Sequence, residues 1–366
     1  MQKKNSNYSK GTYSMDERKT IFDDDLHDLD KVKFIPWTEL KNKTIFVTGA
    51  TGLIGFELIN VFNYINLKYG LNMNVLALVR NKEQAIERFR NILDCGMLKL
   101  IVGNVEKLPA IKEPIDYIIH GASQTASKEF VIHAVETLQT SVMGTRNLLE
   151  LAKIKKVSSF VYLSSMEVYG YPPKGHKVAE NEIGAFTPLS SRNSYPISKI
   201  TAEAMCYAYS KEYGVPAKII RLTQTFGPGV NYNDSRVFAY FAKCSKEKKN
   251  IVLKTKGETE RSYLYTLDAA TAILVVMLKG EAGQAYNAAD ESTYCSIAEM
   301  AKMIASDSEI HVEFDIQDNY ANGFADTLYM DLDTSSLRKL GWAPTERKTL
   351  KQMYARLIDA WKNVHE

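Results

Sequence analysis

Tyr195 and Lys199, four apart in Tyr195-Pro196-Ile197-Ser198-Lys199, are the residues of this chain best suited to acid–base work on an alcohol. On a helix they share one face, which sets a phenol one turn from an ammonium. A phenol whose pKa is lowered can take the proton of a secondary alcohol while hydride leaves the same carbon, and a nearby ammonium is suited to lower it. Lys199 could also hydrogen-bond a nicotinamide ribose. A dinucleotide to receive the hydride is suggested by Thr48-Gly49-Ala50-Thr51-Gly52-Leu53-Ile54-Gly55. Gly49 permits a tight turn, Gly52 lets the backbone approach phosphates, and Gly55 lets a helix pack on a strand. Thr51, Leu53 and Ile54 belong to the same cofactor-binding turn, and the helix N-terminus supplies free N–H groups.

The elements that must position these groups alternate along the chain. Strands are expected at Thr44 to Thr48, Asn74 to Val79, Leu98 to Val102, Ile115 to His120, Ser159 to Ser164 and Ala217 to Leu222. Helices are expected at Leu53 to Tyr69, Lys82 to Leu93, Phe130 to Lys153 and Tyr195 to Tyr213. This rhythm predicts an α/β fold, a Rossmann-type doubly wound parallel sheet with a smaller C-terminal substrate-binding lobe. Residues 1–40 read as a polar arm with an acidic knot at Asp23-Asp24-Asp25 and no sustained apolar period, much of it mobile, whose end Phe34-Ile35-Pro36-Trp37 could dock. The dinucleotide-binding domain is assigned to 41–225, with 266–290 returning to it, and the lobe to 226–265 and 291–366. In the lobe, a helix is expected from Ser235 to Lys246 with short strands around Ile251 and Ser262. A helix from Asp268 to Leu278, a strand at Ala285 to Ala288 and a last helix from about Leu350 to Val364 follow.

With 45% hydrophobic and 24% charged residues in 366, the composition is that of a soluble globular protein. A net charge of +3 with dispersed basic residues gives no reason to expect nucleic acid, and Lys243 to Lys249 reads as a solvated helix end. No apolar run reaches the roughly 20 residues that span a bilayer, and Met1 to Lys10 lacks a hydrophobic signal region, so a cytoplasmic enzyme without a membrane partner is expected. Cys95, Cys206, Cys244 and Cys295 are scattered, as are His120 and His133, and no metal site is expected.

The strand Phe160-Val161-Tyr162-Leu163-Ser164-Ser165 runs into Met166-Glu167-Val168-Tyr169-Gly170, which brings hydroxyl and carboxylate groups to the carboxyl edge of the sheet. With these motifs the chain, from about Lys43 to the C-terminal helix, resembles the extended short-chain dehydrogenase/reductases of the nucleotide-sugar epimerase/dehydratase family. The resemblance implies that Ser165 orients a sugar 4-hydroxyl, with Tyr195 as base and Lys199 as its partner. It sets Met166-Glu167 where 4,6-dehydratases often carry Asp-Glu. Loss of the Asp argues against the dTDP-glucose type, while Glu167 keeps GDP-mannose-type dehydratases and UDP-glucuronate decarboxylases open.

Arg221-Leu222-Thr223-Gln224-Thr225-Phe226-Gly227-Pro228-Gly229 resembles the family segment that lines the substrate diphosphate, from which Gln224 and Phe226 depart. Arg261 matches the family's arginine for that diphosphate, and its fork suits a bidentate contact. Arg236 is a second candidate, though an ordinary ion pair suits it better than Arg261. A homodimer is implied through the helix from Phe130 and the Tyr195 helix.

For the cofactor, the second strand ends in Val79-Arg80-Asn81 without the acid that normally receives the adenosine ribose hydroxyls. Arg80 would tolerate a 2′-phosphate, so NAD or NADP is expected with NADP favoured. Asn104 replaces an acid near the adenine, and Ala122 completes the cofactor-binding set. The leading expectation is a redox-neutral enzyme that oxidises a nucleoside-diphosphate sugar at C4 and returns the hydride after epimerisation, elimination or decarboxylation. An NADPH-dependent reductase of a 4-keto nucleotide sugar is the alternative, and a non-catalytic dinucleotide-sensing protein a third.

Overall fold

Short apolar runs build the main sheet. In the computed structural model, which describes residues 21–124, 131–316, 326–345 and 349–361, strand β1 (Thr44–Thr48) is buried along its whole length. Its alternate residues enter opposite cores. Ile45 and Val47 pack with helix α2 (Leu53–Tyr69), whereas Phe46 packs with Leu148, Leu149, Ala202 and Cys206 on the other face. A strand covered on both sides in this way belongs in a parallel sheet between helical layers.

The sheet has seven strands. With β2 (Asn74–Val79), β3 (Leu98–Val102), β4 (Tyr117–His120), β5 (Ser159–Ser165), β7 (Ala217–Leu222) and β11 (Ala285–Ala288), its order is β11-β7-β5-β4-β1-β2-β3. Every pairing is parallel. Helix α3 (Lys82–Leu93) follows β2, capped by Asn81, whose side chain accepts the Gln84 N–H. Helices α4 (Ala134–Lys155) and α5 (Ser194–Tyr213) cover the other face. The chain order reverses between β1 and β4, a switch point that opens a crevice at the carboxyl edge.

The lobe is built on a second sheet of five strands. It joins β6 (Lys177–Val178), β8 (Gln224–Phe226), β10 (Glu260–Tyr265), β12 (Asp290–Ser296) and β14 (Tyr329–Leu332), with β10 bonded to β8, β12 and β14. A two-stranded sheet pairs β9 (Ile251–Leu253) with β13 (Val312–Phe314). Helices α6 (Val237–Glu247), α8 (Ile297–Ser308) and α10 (Leu350–Ala360) pack together in it, whereas α7 (Thr266–Lys279) packs on α2, β5 and β7 of the main sheet and α9 (Ser335–Lys339) on β11. Capping boxes at Ser296/Glu299 and Thr349/Gln352 start α8 and α10.

Residues 21–40 depart from the expected polar arm. Helix α1 (Ile21–Asp28) and the turns after it bury Leu26, Leu29, Val32, Ile35, Trp37 and Leu40 in the core. From the acidic knot, Asp25 is buried between the Tyr265 hydroxyl and Arg356, the latter at 2.6 Å. Residues 1–20 and Phe130 lie outside the described residues. β6 and β8, from the stretch assigned to the dinucleotide domain, pair instead with lobe strands.

Candidate active site

The glycine turn follows directly from the register of the sheet. Thr48 pairs with His120, so the chain leaves β1 and β4 side by side, and Gly49 abuts Gly121. Gly49 has φ +70°, and a Cβ there would lie 2.6 Å from the Gly121 carbonyl carbon and oxygen. Only glycine fits. A Cβ on Gly55 would meet the Gly49 oxygen at 2.3 Å, so α2 is pressed against the turn. Gly52 precedes α2 without a side-chain cap, leaving the first-turn N–H groups to meet an anion. These residues fit a dinucleotide pyrophosphate.

Beneath the turn runs a polar chain that sequence reading missed. His120, 1% exposed, lies 2.8 Å from Thr48 Oγ1 through Nδ1 and 3.1 Å from Thr145 Oγ1 through Nε2. Burial holds this histidine down at about 3, so it stays neutral. The Ala122 N–H donates to Thr48 Oγ1 at 3.3 Å, so it knits β4 to β1 rather than standing open as the cofactor contact expected of it. Arg80 is exposed at the end of β2, beside where an adenosine ribose would lie. Asn104, also exposed, accepts the Lys107 N–H at 2.7 Å, which turns its carbonyl into its own loop rather than towards adenine.

Helix α5 and β5 bring the acid–base residues together through successive rungs. The Ser165 side chain lies near enough to Tyr195 to favour its phenolate. Lys199 donates to the Leu163 carbonyl at 2.7 Å, and Ser164 donates to Glu203 at 2.5 Å. Burial, the largest influence, and the Glu167 carboxylate push the Tyr195 phenol well above its usual value. The Ser165 side chain and the Arg192 and Arg236 cations oppose them. The expectation that Lys199 lowers this phenol is not met in the protein alone, for a physical reason. The ammonium is turned to Leu163, 5.7 Å from the Tyr195 ring centroid, and burial lowers Lys199 itself to about 8.

Glu167 reaches back to Arg192, whose Nη1 donates to Oε2 at 3.0 Å. Arg192 was missed in the sequence although it stands three residues before Tyr195, close enough to bear on the same helix end. Glu203 and Arg221 form a second missed pair, with contacts of 3.0 and 2.6 Å, and Arg221 also donates to Tyr169 Oη at 2.8 Å. The first residue of the expected diphosphate segment is therefore committed to the interior, where two buried charges need each other.

The proposed substrate residues divide. Met166 is 5% exposed and packs in a buried cluster with Val168 and Tyr169, its sulfur accepting the Thr223 hydroxyl at 3.3 Å. Its side chain is thus a packing group, contrary to the expected substrate contact. Gln224 is half-buried in β8, paired with Tyr263 on β10. Phe226 is buried and stacks on Phe238 at 4.7 Å, an apolar setting in which a phenylalanine fits. Arg236 is held by Asp234 through contacts of 2.5 to 3.1 Å, the ion pair that suited it. Arg261 differs, since its buried Nε has no hydrogen-bond partner among the described residues. A guanidinium N–H left without a partner is able to meet an anion.

A doubly wound sheet with an open glycine turn, and a tyrosine and lysine beside it, defines a dinucleotide-binding α/β protein of the short-chain dehydrogenase kind. The chain belongs to the NAD dependent epimerase/dehydratase family, whose model matches residues 45–289. It is 28% identical over 250 residues to UDP-glucuronic acid decarboxylase 1 of Xenopus tropicalis, covering 67% of this chain and 56% of that protein. It is 26% identical over 344 residues to human dTDP-D-glucose 4,6-dehydratase, covering 88% and 93% respectively. The chain spans about half the length of several curated relatives it matches. In fold it resembles the UDP-glucose 4-epimerase of Thermotoga maritima, solved with UDP-glucose, at a TM-score of 0.73 and 20% identity over 88% of this chain and all of that one. Among the described residues no helix is long and apolar enough to cross a membrane.

Proposed function

We propose that the protein oxidises a nucleoside-diphosphate sugar transiently at C4 and restores the hydride after epimerisation, elimination or decarboxylation. The observation that carries this reading is the convergence of Ser165, Tyr195 and Lys199 at the carboxyl edge of β5. An oxidised nicotinamide cofactor, held at the glycine turn of Gly49, Gly52 and Gly55, would supply positive charge and accept the hydride. The chain's own residues handle the proton: Ser165 orients the 4-hydroxyl, Tyr195 removes its proton, and Lys199 holds the ribose. Arg261 offers its unpartnered N–H to the diphosphate. Glu167, steadied by Arg192, is the group available to move a proton elsewhere on the sugar.

Family membership supports NAD as the cofactor class, while exposed Arg80 favours a 2′-phosphate and hence NADP. Arg80 also supports the second reading, a reductase that consumes NADPH on a 4-keto sugar. A cytoplasmic homodimer is part of the proposal, supported by Val135, Met143 and Tyr207, which are exposed on α4 and α5. UDP-glucuronic acid and dTDP-D-glucose, named for the relatives, are the first sugars to try. The test is to denature freshly purified protein and identify released nucleotides by mass spectrometry. Near-stoichiometric NAD or NADP supports a recycled hydride, whereas an empty protein that takes up NADPH from solution supports the reductase.

A further inference from the structure

Half-buried guanidinium groups in this chain usually meet a carboxylate. Arg192 meets Glu167, Arg221 meets Glu203, Arg236 meets Asp234 and Arg356 meets Asp25. Arg88, on α3, does not. Its guanidinium sits 4.2 Å over the Phe56 ring, and its buried Nε has no hydrogen-bond partner among the described residues. Burial lowers its pKa, with no opposing charge to restore it. The neighbouring Glu87 is engaged with Arg90 at 3.0 Å. The Nε of Arg261 and that of Arg356 also lack a hydrogen bond, but Arg356 has Asp25 and Arg261 has the proposed diphosphate, whereas Arg88 has neither among the described residues.

Arg88 lines a cavity of about 930 Å³ between α2 and α3 on one side and residues 228–233 on the other. That volume lies in the range of roughly 300–1,000 Å³ typical of small-molecule sites. The cavity is separate from the active site, because neither the glycine turn nor Ser165, Tyr195, Lys199 or Arg261 lines it. Lys243 brings a second cation, 4.5 Å from the Tyr232 ring and 3.7 Å from the Glu247 carboxylate, so this residue of the supposed solvated helix end faces an aromatic wall, while Glu87 is the carboxylate in the lining. Trp361 packs edge-on against Tyr232 at 5.1 Å and donates to the Val230 carbonyl at 2.9 Å. Two cations beside aromatic rings suit an anion that carries a flat ring.

We propose that this cavity is a second ligand site for a nucleoside monophosphate or a similar phosphorylated ring compound, with Arg88 and Lys243 holding the phosphate and Tyr232 and Trp361 the ring. An occupant would touch both α2, which carries the glycine turn, and the segment between Gln224 and Arg236. Binding there would therefore communicate with the sugar site.

Isothermal titration of UMP and, separately, inorganic phosphate into the full-length protein and its variants tests the assignment. Wild type should bind UMP at two sites, one removed by Arg261→Met and the other weakened at least about tenfold by Arg88→Met, which removes the charge and keeps a long side chain. Phosphate binding that Arg88→Met removes would also support the site and identify the phosphate as the recognised part. Should Arg88→Met fail to fold, Lys243→Met provides the same reading from the opposite wall. A single UMP site, lost in Arg261→Met and untouched by the Arg88 and Lys243 variants, would overturn the proposal.

Discussion

At Tyr195 the cost of burying a phenolate outweighs the cations around it, and at Lys199 the same burial weakens the ammonium. Burial thus shifts both groups towards their neutral forms, and such shifts are common where proton transfer is the task. Lys199→Met should therefore lose turnover and yet unfold at higher temperature. Lys199 is lowered from 10.5 to about 8 in the folded chain, so below pH 8 both states carry the proton and the burial penalty is at its full size. The methionine variant should gain about 1–3 kcal/mol there. As pH rises from about 8 towards 10.5 the wild type sheds the proton on folding and the gap closes. Thermal melts across that window check the sign, and a gap that widens with pH would contradict it. Tyr195→Phe, a change of one hydroxyl, should cut kcat by about 10²–10⁴-fold and leave melting unchanged.

Helix α2 carries both the glycine turn and Glu57, which is 3% exposed and faces Asp25 from the N-terminal segment. Burial first, and the Asp25 charge second, raise Glu57 to about 8. The folded state then holds a proton that the unfolded state releases above about 4.5, so stability contributed by Glu57 falls as pH rises from there to about 8. Glu57→Gln should match wild type near pH 4 and exceed it by several kcal/mol near pH 8, with no further gain above. Denaturant titrations at both values measure it. Most elements were legible because their patterns are local. β1, β2, β3, β7 and α2 fall where their apolar runs predict, since strands of a parallel sheet covered by helices are mostly apolar. Helix α1 and its turns were not, although Leu26, Leu29, Val32 and Ile35 recur every third residue. Charged residues between them masked a period that only the partner surface makes meaningful. Tyr195, Lys199 and Ser165 could be read as one site from their motifs, whereas the Arg192–Glu167 and Arg221–Glu203 pairs join distant segments and leave no local trace. Met166 shows the converse error, because its position in a motif says nothing of the face it turns to.

Across the whole molecule, the sheet brings the glycine turn, β5 and α5 to its carboxyl edge, and Arg261 lies on strand β10 of the lobe. The face made by α4 and α5 keeps large apolar side chains in solvent, with Val135 62% and Met143 49% exposed. Such a surface suits a second copy of the chain. Val135→Asp combined with Met143→Asp should convert a dimer to a monomer in sedimentation analysis with little loss of helical content. A wild-type protein that sediments as a monomer would remove the dimer from the account. Recycling of the hydride is tested by turnover without added reductant. Purified protein, supplemented with a trace of NAD or NADP, is incubated with UDP-glucuronic acid and, separately, dTDP-D-glucose, and the products are weighed by mass spectrometry while nicotinamide absorbance is followed. The account predicts many turnovers of a nucleotide sugar with no net change in the cofactor, abolished in Tyr195→Phe. Conversion that stops after one equivalent of cofactor, or that persists in Tyr195→Phe, would contradict it.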